Sequence, residues 1–169
     1  MAVFIWHERQ TVVLPWTVIA SEADAEAAAH ELESPSVIAL SLMPYQPVPG
    51  RYGWGTDTSR AMQFAGRLLR TAPSTGDREV VNIVGNGMDN VGEGAAVGRD
   101  KLVAAGATVN GVVFGGDLPT FIYYRTQVIG GDAAFLLAAD PEIGIAEAMQ
   151  RKFLQDLTAD ATSPADGPM

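Results

Sequence analysis

The sequence contains no cysteine and only two histidines, His7 and His30. Without cysteine the chain can form no disulfide, cysteine zinc site or iron–sulfur cluster, and it has no thiol nucleophile. Neither histidine has a serine and an acid placed nearby to complete a catalytic triad. Composition therefore narrows the classes of enzyme open to this chain but names no activity.

Positive charge is also scarce, because 11 Lys plus Arg stand against 20 Asp plus Glu and give a formal net charge of -9. The basic residues form no stripe that could neutralise phosphates, so we expect no nucleic-acid partner. Every apolar run is much shorter than the ~20 residues that cross a bilayer, so we expect no membrane span. Residues 1–6 lack the basic region of a signal peptide, so the chain as written is expected in the cytoplasm.

What the chain does have is enough apolar sequence for one core. Of its 169 residues, 47% are hydrophobic, and a chain of this length buries roughly two thirds of its unfolded surface. The C-terminal residues are small and polar and include proline, a composition typical of disorder. We therefore predict one domain over residues 1–158 and a disordered tail over residues 159–169.

The local patterns predict an α/β fold. Met1–Trp6 and Thr11–Val18 are β-branched and aromatic runs separated by a polar turn, which indicates an antiparallel hairpin. Pro15 cannot donate to a β-ladder, so it places the second strand at a sheet edge. Helices and strands then alternate, which favours a doubly wound, mostly parallel sheet with one antiparallel edge strand. The predicted helices are 22–32, one that begins at 56 and is ended by Pro73, 95–105, 120–128 and 142–157, and the further strands are 79–84, 108–114 and 133–138.

Glycine-rich loops follow two of the predicted strands, at 85–94 and 115–118. In open α/β sheets, ligands bind beyond the carboxyl ends of the strands, so these loops mark the expected binding rim. Gly55-Thr56 begins a helix that faces the same rim. The rim is therefore where we expect any site to lie.

The segment 44–55 has the most unusual composition in the chain, since it combines proline, glycine and aromatic residues. Arg51, Tyr52 and Trp54 are side-chain types enriched at interface hot spots. We predict that 48–54 forms an exposed recognition surface for a protein partner.

These segments together resemble a family of uncharacterised bacterial von Willebrand factor A-like proteins. The resemblance covers nearly the whole chain and implies a doubly wound sheet of strand order 3-2-1-4-5-6 whose second and third strands are antiparallel. It also implies relatives that are exported to the periplasm. The segments that carry it are VVLPWT, GTDTSRAM, REVVNIVGNGMDNVG, YYRTQVIGG and AFLLAAD.

The resemblance implies a metal-ion-dependent adhesion site, which in such proteins holds Mg²⁺ with an Asp-x-Ser-x-Ser loop, a Thr and an Asp. Thr56 matches the Thr, and Asn86 stands where the family has its Asp. The first strand and its Asp-x-Ser-x-Ser loop have no counterpart in this sequence. Because a divalent cation needs carboxylates, we predict a degenerate site and no cofactor, with Mg²⁺ binding only if an N-terminal strand is restored. Asp57, Asp89 and Asp117 could substitute, although such residues are common as helix caps and in turns.

The functional prediction is a non-enzymatic protein-interaction module. One alternative is a small α/β enzyme or an anion- or nucleotide-binding protein that uses the glycine-rich rim. Another is a truncated remnant without independent activity.

The missing strand is the central one in the implied sheet order, and three segments could replace it. The first expectation is direct pairing of Met1–Trp6 with Glu79–Val84. The second is insertion of the apolar run Ser36–Met43. The third is a strand donated by a partner or by a second copy of the chain in a homo-oligomer.

Overall fold

The structure, a computed structural model, describes residues 1–7, 9–42, 55–74, 76–115 and 117–139, with only the backbone at residues 41 and 42. The described chain is mixed α/β. Its strands are β1 (Val3–Trp6), β2 (Gln10–Leu14), β3 (Val80–Gly85), β4 (Thr108–Phe114) and β5 (Leu136–Ala139). Its helices are α1 (Glu22–Leu32), α2 (Pro35–Leu42), α3 (Thr58–Leu69), α4 (Ala95–Ala104) and α5 (Leu118–Tyr123), and a π-helical turn (Tyr124–Val128) follows α5.

The predicted N-terminal hairpin is present, with β1 and β2 antiparallel. Strand β2 ends at Leu14 rather than Val18, because Pro15 has no N–H for the ladder. Beyond it, the Trp16 indole N–H donates to the Leu68 carbonyl of α3 at 3.2 Å. The hairpin is thereby attached to the carboxyl-terminal end of α3.

The remaining described strands form a parallel sheet of order β3-β4-β5. Strand β4 lies in its centre and is buried over almost its whole length, as expected for a parallel strand covered on both faces. The prediction of a mixed α/β fold is confirmed. The prediction of one continuous sheet is wrong for the described residues, because the hairpin forms a second, separate sheet.

Direct pairing of β1 with β3 was the first expectation for the missing strand, and the structure contradicts it in the part of the chain described. The hairpin is held instead by side-chain packing on α3. The ring of Phe4 in β1 contacts Phe64 of α3 at 5.0 Å between centroids. This contact forms without any backbone pairing between β1 and β3.

The second expectation, a strand over Ser36–Met43, is also wrong, because Pro35–Leu42 is helix α2. Proline at the first helical position loses no hydrogen bond and has a φ suited to the helix. The predicted cap of α1 is confirmed, since the Ser21 hydroxyl accepts the Asp24 amide at 3.2 Å.

Helices α3 and α4 cover one face of the three-stranded sheet. Their shared core includes fully buried Met62 and nearly buried Leu102, and it extends to Tyr124 and Val128 of the π-helical turn. The Ile129 N–H donates to the Tyr124 carbonyl at 3.0 Å, which closes the wide turn. The predicted helix over 120–128 is thus α-helical in its first part and π-helical in its second.

The predicted recognition surface 48–54, the predicted helix 142–157 and the predicted tail 159–169 lie outside the described residues. Among the residues that the structure does describe, no helix has the length and apolarity needed to cross a membrane.

The close approach of α3 and α4 depends on Gly98. A Cβ there would lie 2.8 Å from the Ser59 carbonyl oxygen and 2.9 Å from the Met62 Cβ. We expect Gly98→Ala to lower the unfolding free energy by about 1–3 kcal/mol, measured by urea titration, because the backbone contact has no flexible atom to move. Gly87→Ala is the matched control and should be nearly neutral, since a Cβ at Gly87 meets nothing within 4 Å. Equal stability of the two variants would contradict this packing.

Candidate functional site

The hairpin and the parallel sheet are separate, and we call the space between β1 and β3, which no backbone hydrogen bond bridges in the described chain, the split. The start of β1 lies at the carboxyl end of α3, where the Met1 carbonyl accepts the Thr17 amide at 2.7 Å and Trp16 bonds to Leu68. The end of β1 lies at the end of β3, because a Trp6 ring carbon is 3.6 Å from where a Cβ on Gly85 would be. The carboxyl ends of both strands therefore meet at the same end of the split.

The edge of β3 that faces the split has no backbone partner among the described residues. The Glu79 carbonyl accepts the Thr108 amide of β4 at 2.9 Å. Because backbone groups alternate sides along a strand, those of Val80, Asn82 and Val84 point away from β4 and toward the split. Strand β1 is likewise paired only with β2 within the described chain.

A cluster of buried oxygen atoms lies at the carboxyl end of the split. A Cβ on Gly85 would overlap the Tyr124 hydroxyl, so only glycine lets this ring reach the end of β3. The Tyr124 side chain is fully buried. The Tyr123 hydroxyl, the Tyr124 hydroxyl and Asp89 Oδ2 are all buried, and none of them makes a hydrogen bond of standard geometry. The Tyr123 hydroxyl nevertheless lies close enough to the Asp89 carboxylate to interact with it. We call these three oxygen atoms the oxygen cluster.

Asp89 is held in place by the first turn of α3. Its Oδ1 accepts the Thr58 amide at 2.9 Å and also the Thr58 hydroxyl. Both Thr58 donors therefore bind the same carboxylate oxygen of Asp89. The other oxygen, Oδ2, makes no hydrogen bond of standard geometry. The N-terminus of α3 favours a carboxylate at this position.

Burial and the neighbouring charge keep both tyrosines protonated. Burial raises the pKa of Tyr123 to about 12, and the Asp89 carboxylate contributes to the shift. Burial raises the pKa of Tyr124 as well, with smaller contributions from Tyr123 and Asp89. At neutral pH the cluster therefore consists of one carboxylate oxygen and two neutral hydroxyls.

The two residues carried over from the adhesion-site resemblance lie at the start of α3 and in the loop after β3. The Thr56 amide donates to Asn90 Oδ1 at 2.8 Å, and the Thr56 carbonyl accepts the Asn90 amide at 3.2 Å. These bonds tie the start of α3 to the loop after β3. Asn86 lies exposed in the same loop. Within the described chain, no hydrogen bond joins Asn86 to Thr56.

The other candidate acids have structural roles. Asp57 caps α3 by accepting the Arg60 amide at 2.9 Å, and Asp117 caps α5 by accepting the Thr120 amide at 2.9 Å. Three or more acidic or histidine side chains do not gather into a possible metal site anywhere in the described ranges. The predicted interaction residues Arg51, Tyr52 and Trp54 lie outside those ranges.

The sequence does not predict the oxygen cluster. It marks Asp89 as a possible metal ligand or a cap or turn residue, and Tyr123-Tyr124 as part of the family resemblance. The only available signal is chemical, since a buried tyrosine hydroxyl usually finds a partner. That these hydroxyls meet Asp89 depends on contacts between distant segments.

The lack of a partner for the Tyr124 hydroxyl has a measurable consequence. We expect Tyr124→Phe to raise the unfolding free energy by about 1 kcal/mol, because it removes an unpaired buried polar group and keeps the ring. Urea titration measures the change. Tyr124→Leu is the control for ring packing and should destabilise the chain. A loss of stability in Tyr124→Phe would show that the hydroxyl has a partner in the native chain.

The raised tyrosine pKa values also predict an alkaline loss of stability. Below pH 10, the ordinary tyrosine value, both the folded and the unfolded chain keep the protons. Above it the unfolded chain loses them first, so the unfolding free energy falls as the pH rises toward about 12. We expect a shallower fall in Tyr124→Phe than in the parent chain, measured by urea titrations between pH 9 and about 11. Parallel curves would contradict the raised pKa of Tyr124.

Comparison with known proteins gives a family but no activity. No curated protein and no solved structure matches the chain. A family model does match, and it spans residues 1–161, nearly the full length. The chain therefore belongs to the family described as protein of unknown function (DUF1194).

Proposed function

We propose that this chain is a non-enzymatic protein-interaction module of the von Willebrand factor A-like kind, and that it binds an extended segment of a partner protein in the split between β1 and β3. The observation that carries the proposal is the open edge of β3, where the backbone groups of Val80, Asn82 and Val84 have no partner among the described residues. Strand β1 offers a second open edge across the split.

An extended polypeptide is the ligand that fits two open strand edges. Its N–H and C=O groups alternate sides with the same repeat as the edges, so one segment can pair with both strands. Strand addition of this kind obtains affinity from main-chain bonds and specificity from side-chain pockets. The buried Asn82 Oδ1, which also has no partner, adds a side-chain acceptor beside the split.

A segment from a different protein is favoured over a strand from a second copy. Each described strand of this chain is already paired in its own sheet. A second copy would have to release one of these strands, and would lose its own ladder in doing so. Size-exclusion chromatography with light scattering distinguishes the two, because the proposal expects no dimer that depends on the β3 edge.

The order of the described elements supports the von Willebrand factor A-like assignment within this proposal. An antiparallel hairpin precedes three parallel strands that alternate with helices. The alternative of an anion or nucleotide site at the glycine-rich rim is less well supported, because the loop after β3 carries the carboxylates of Asp89 and Glu93. Negative charge there opposes an anionic ligand.

The proposal includes a degenerate metal site at Thr56 and Asn86. A hydroxyl and a neutral amide do not offset the dehydration of a divalent cation. We expect isothermal titration of the isolated chain with MgCl₂ or MnCl₂ to give no affinity in the micromolar range, and Thr56→Ala to leave the titration unchanged. Micromolar binding that Thr56→Ala abolishes would contradict the degenerate site.

Amide hydrogen exchange measured by NMR tests the open edge directly. We expect the Val80, Asn82 and Val84 amides to exchange at least about tenfold faster than those of Val81 and Ile83, which face β4. The neighbouring amides are an internal control, since they share the same strand and the same global stability. Equal protection of both sets in the isolated chain would show that the chain's own residues fill the split.

Asn82→Pro tests whether that edge binds a partner segment. It removes an N–H from the split but none from the ladder with β4, so we expect a folded chain that no longer retains peptides selected on the parent. Asn82→Ala is the matched control and should still retain them, because it keeps the N–H. If peptides bind Asn82→Pro as well as the parent, the split is not the binding site.

A further inference from the structure

The oxygen cluster gives the split a chemical preference. Asp89 Oδ2 and the hydroxyls of Tyr123 and Tyr124 are shielded from solvent and make no hydrogen bond of standard geometry. Leaving such groups unpaired costs about 1–3 kcal/mol each. The Tyr124 hydroxyl lies against Gly85, next to the Trp6 ring, and therefore beside the end of any segment bound between β1 and β3. Tyr123 and Asp89 are close enough to Tyr124 to act on it electrostatically.

We propose that the oxygen cluster binds a primary ammonium group carried by the segment that occupies the split. A primary ammonium has three N–H donors and no acceptor, and the cluster offers three oxygen atoms, one of them on a carboxylate. The inference rests on the proposed function, because the ammonium reaches the cluster as part of the bound segment. The ammonium site adds a requirement on the bound segment, which must carry a primary ammonium group at the position that reaches the cluster.

The charge and shape of the cluster favour an ammonium over other ligands. The Asp89 carboxylate opposes an anion, and it cannot by itself supply the shell of oxygen charge that Mg²⁺ requires. A guanidinium is planar and best matched to two parallel acceptors on one carboxylate. Here Asp89 Oδ1 is already used by Thr58, so only one carboxylate oxygen remains.

The Trp6 ring lies beside the Tyr124 end of the cluster. A ring carbon of Trp6 is 3.6 Å from where a Cβ on Gly85 would be, and Gly85 is also the point that the Tyr124 hydroxyl reaches. Trp6 is only partly buried. A segment bound in the split would therefore meet the Trp6 ring and the Tyr124 hydroxyl at the same place.

Selection of random heptapeptides displayed on phage, with the full chain immobilised, tests the proposal. We expect the retained peptides to carry lysine at one fixed position next to a β-branched run, and to carry it there more often than arginine. Asp89→Asn keeps the acceptor for Thr58 but removes the charge, and we expect the lysine preference to disappear on that variant. Asp117→Asn is the matched control, since it removes the same charge from another helix cap and should retain the preference.

Affinity measurements on one retained synthetic peptide complete the test. Replacing its lysine by norleucine or acetyl-lysine should weaken binding by about tenfold or more on the parent chain, as for a charge-assisted hydrogen bond, and by less than about threefold on Asp89→Asn. Acetylating the peptide N-terminus distinguishes the source of the ammonium, because that change would weaken binding only if a terminal amine occupied the cluster.

Tyr123→Phe and Tyr124→Phe should weaken the binding of the lysine peptide without lowering the stability of the unbound chain. A merely structural role of these hydroxyls would not give this combination.

The outcomes separate the two proposals. Peptides that protect the Val80, Asn82 and Val84 amides but show no preference for lysine overturn the ammonium site and leave strand binding intact. If no peptide is retained, or if retained peptides leave those amides unprotected, strand binding in the split fails and the ammonium site fails with it. A lysine preference that survives Asp89→Asn would overturn the assignment to this cluster.

Discussion

Helix α3 packs against both parts of the described fold, and the placement of the hairpin beside the parallel sheet depends on these contacts. On one side α3 approaches α4 closely at Gly98. On the other it holds the hairpin through the Phe64–Phe4 ring contact and the bond from Trp16 to the Leu68 carbonyl. Side-chain packing on α3 thus joins the hairpin to the core that covers the parallel sheet. Backbone hydrogen bonds do not close the space between β1 and β3 in the described chain.

This arrangement concentrates unpaired polar groups in one place. The backbone groups at the β3 edge and the three atoms of the oxygen cluster border the same split. A typical domain is stable by only about 5–15 kcal/mol, so several unpaired groups are a large fraction of that total. A ligand that pairs with them adds its binding free energy to the stability of the fold. Under the proposed function, binding in the split would therefore stabilise the fold.

The two residues that the family resemblance indicates, Thr56 and Asn86, carry no charge. The negative charge near the split comes from other residues. Thr56 uses its backbone to fix the loop after β3 through Asn90, and Asn86 is exposed and neutral. The carboxylates at the start of α3 belong to Asp57, which caps the helix, and to Asp89, which has one oxygen left unpaired. Among these groups, Asp89 Oδ2 is the carboxylate oxygen without a standard hydrogen bond, and it lies near two neutral tyrosine hydroxyls.

The sequence by itself determined the elements whose signals are local. The alternation in 1–18 gave the hairpin, Pro15 ended its second strand, and Ser21 and Asp57 capped helices as short-range hydrogen bonds require. The apolar run 36–43 is ambiguous, because a short run without clear periodicity suits either a strand or a helix. In the structure it is part of a helix that begins at Pro35. Only the tertiary structure decided that β1 stays apart from β3 and that the Tyr124 hydroxyl meets Gly85 near Asp89. Those relations join segments tens of residues apart and depend on side-chain packing between them, which no local pattern encodes.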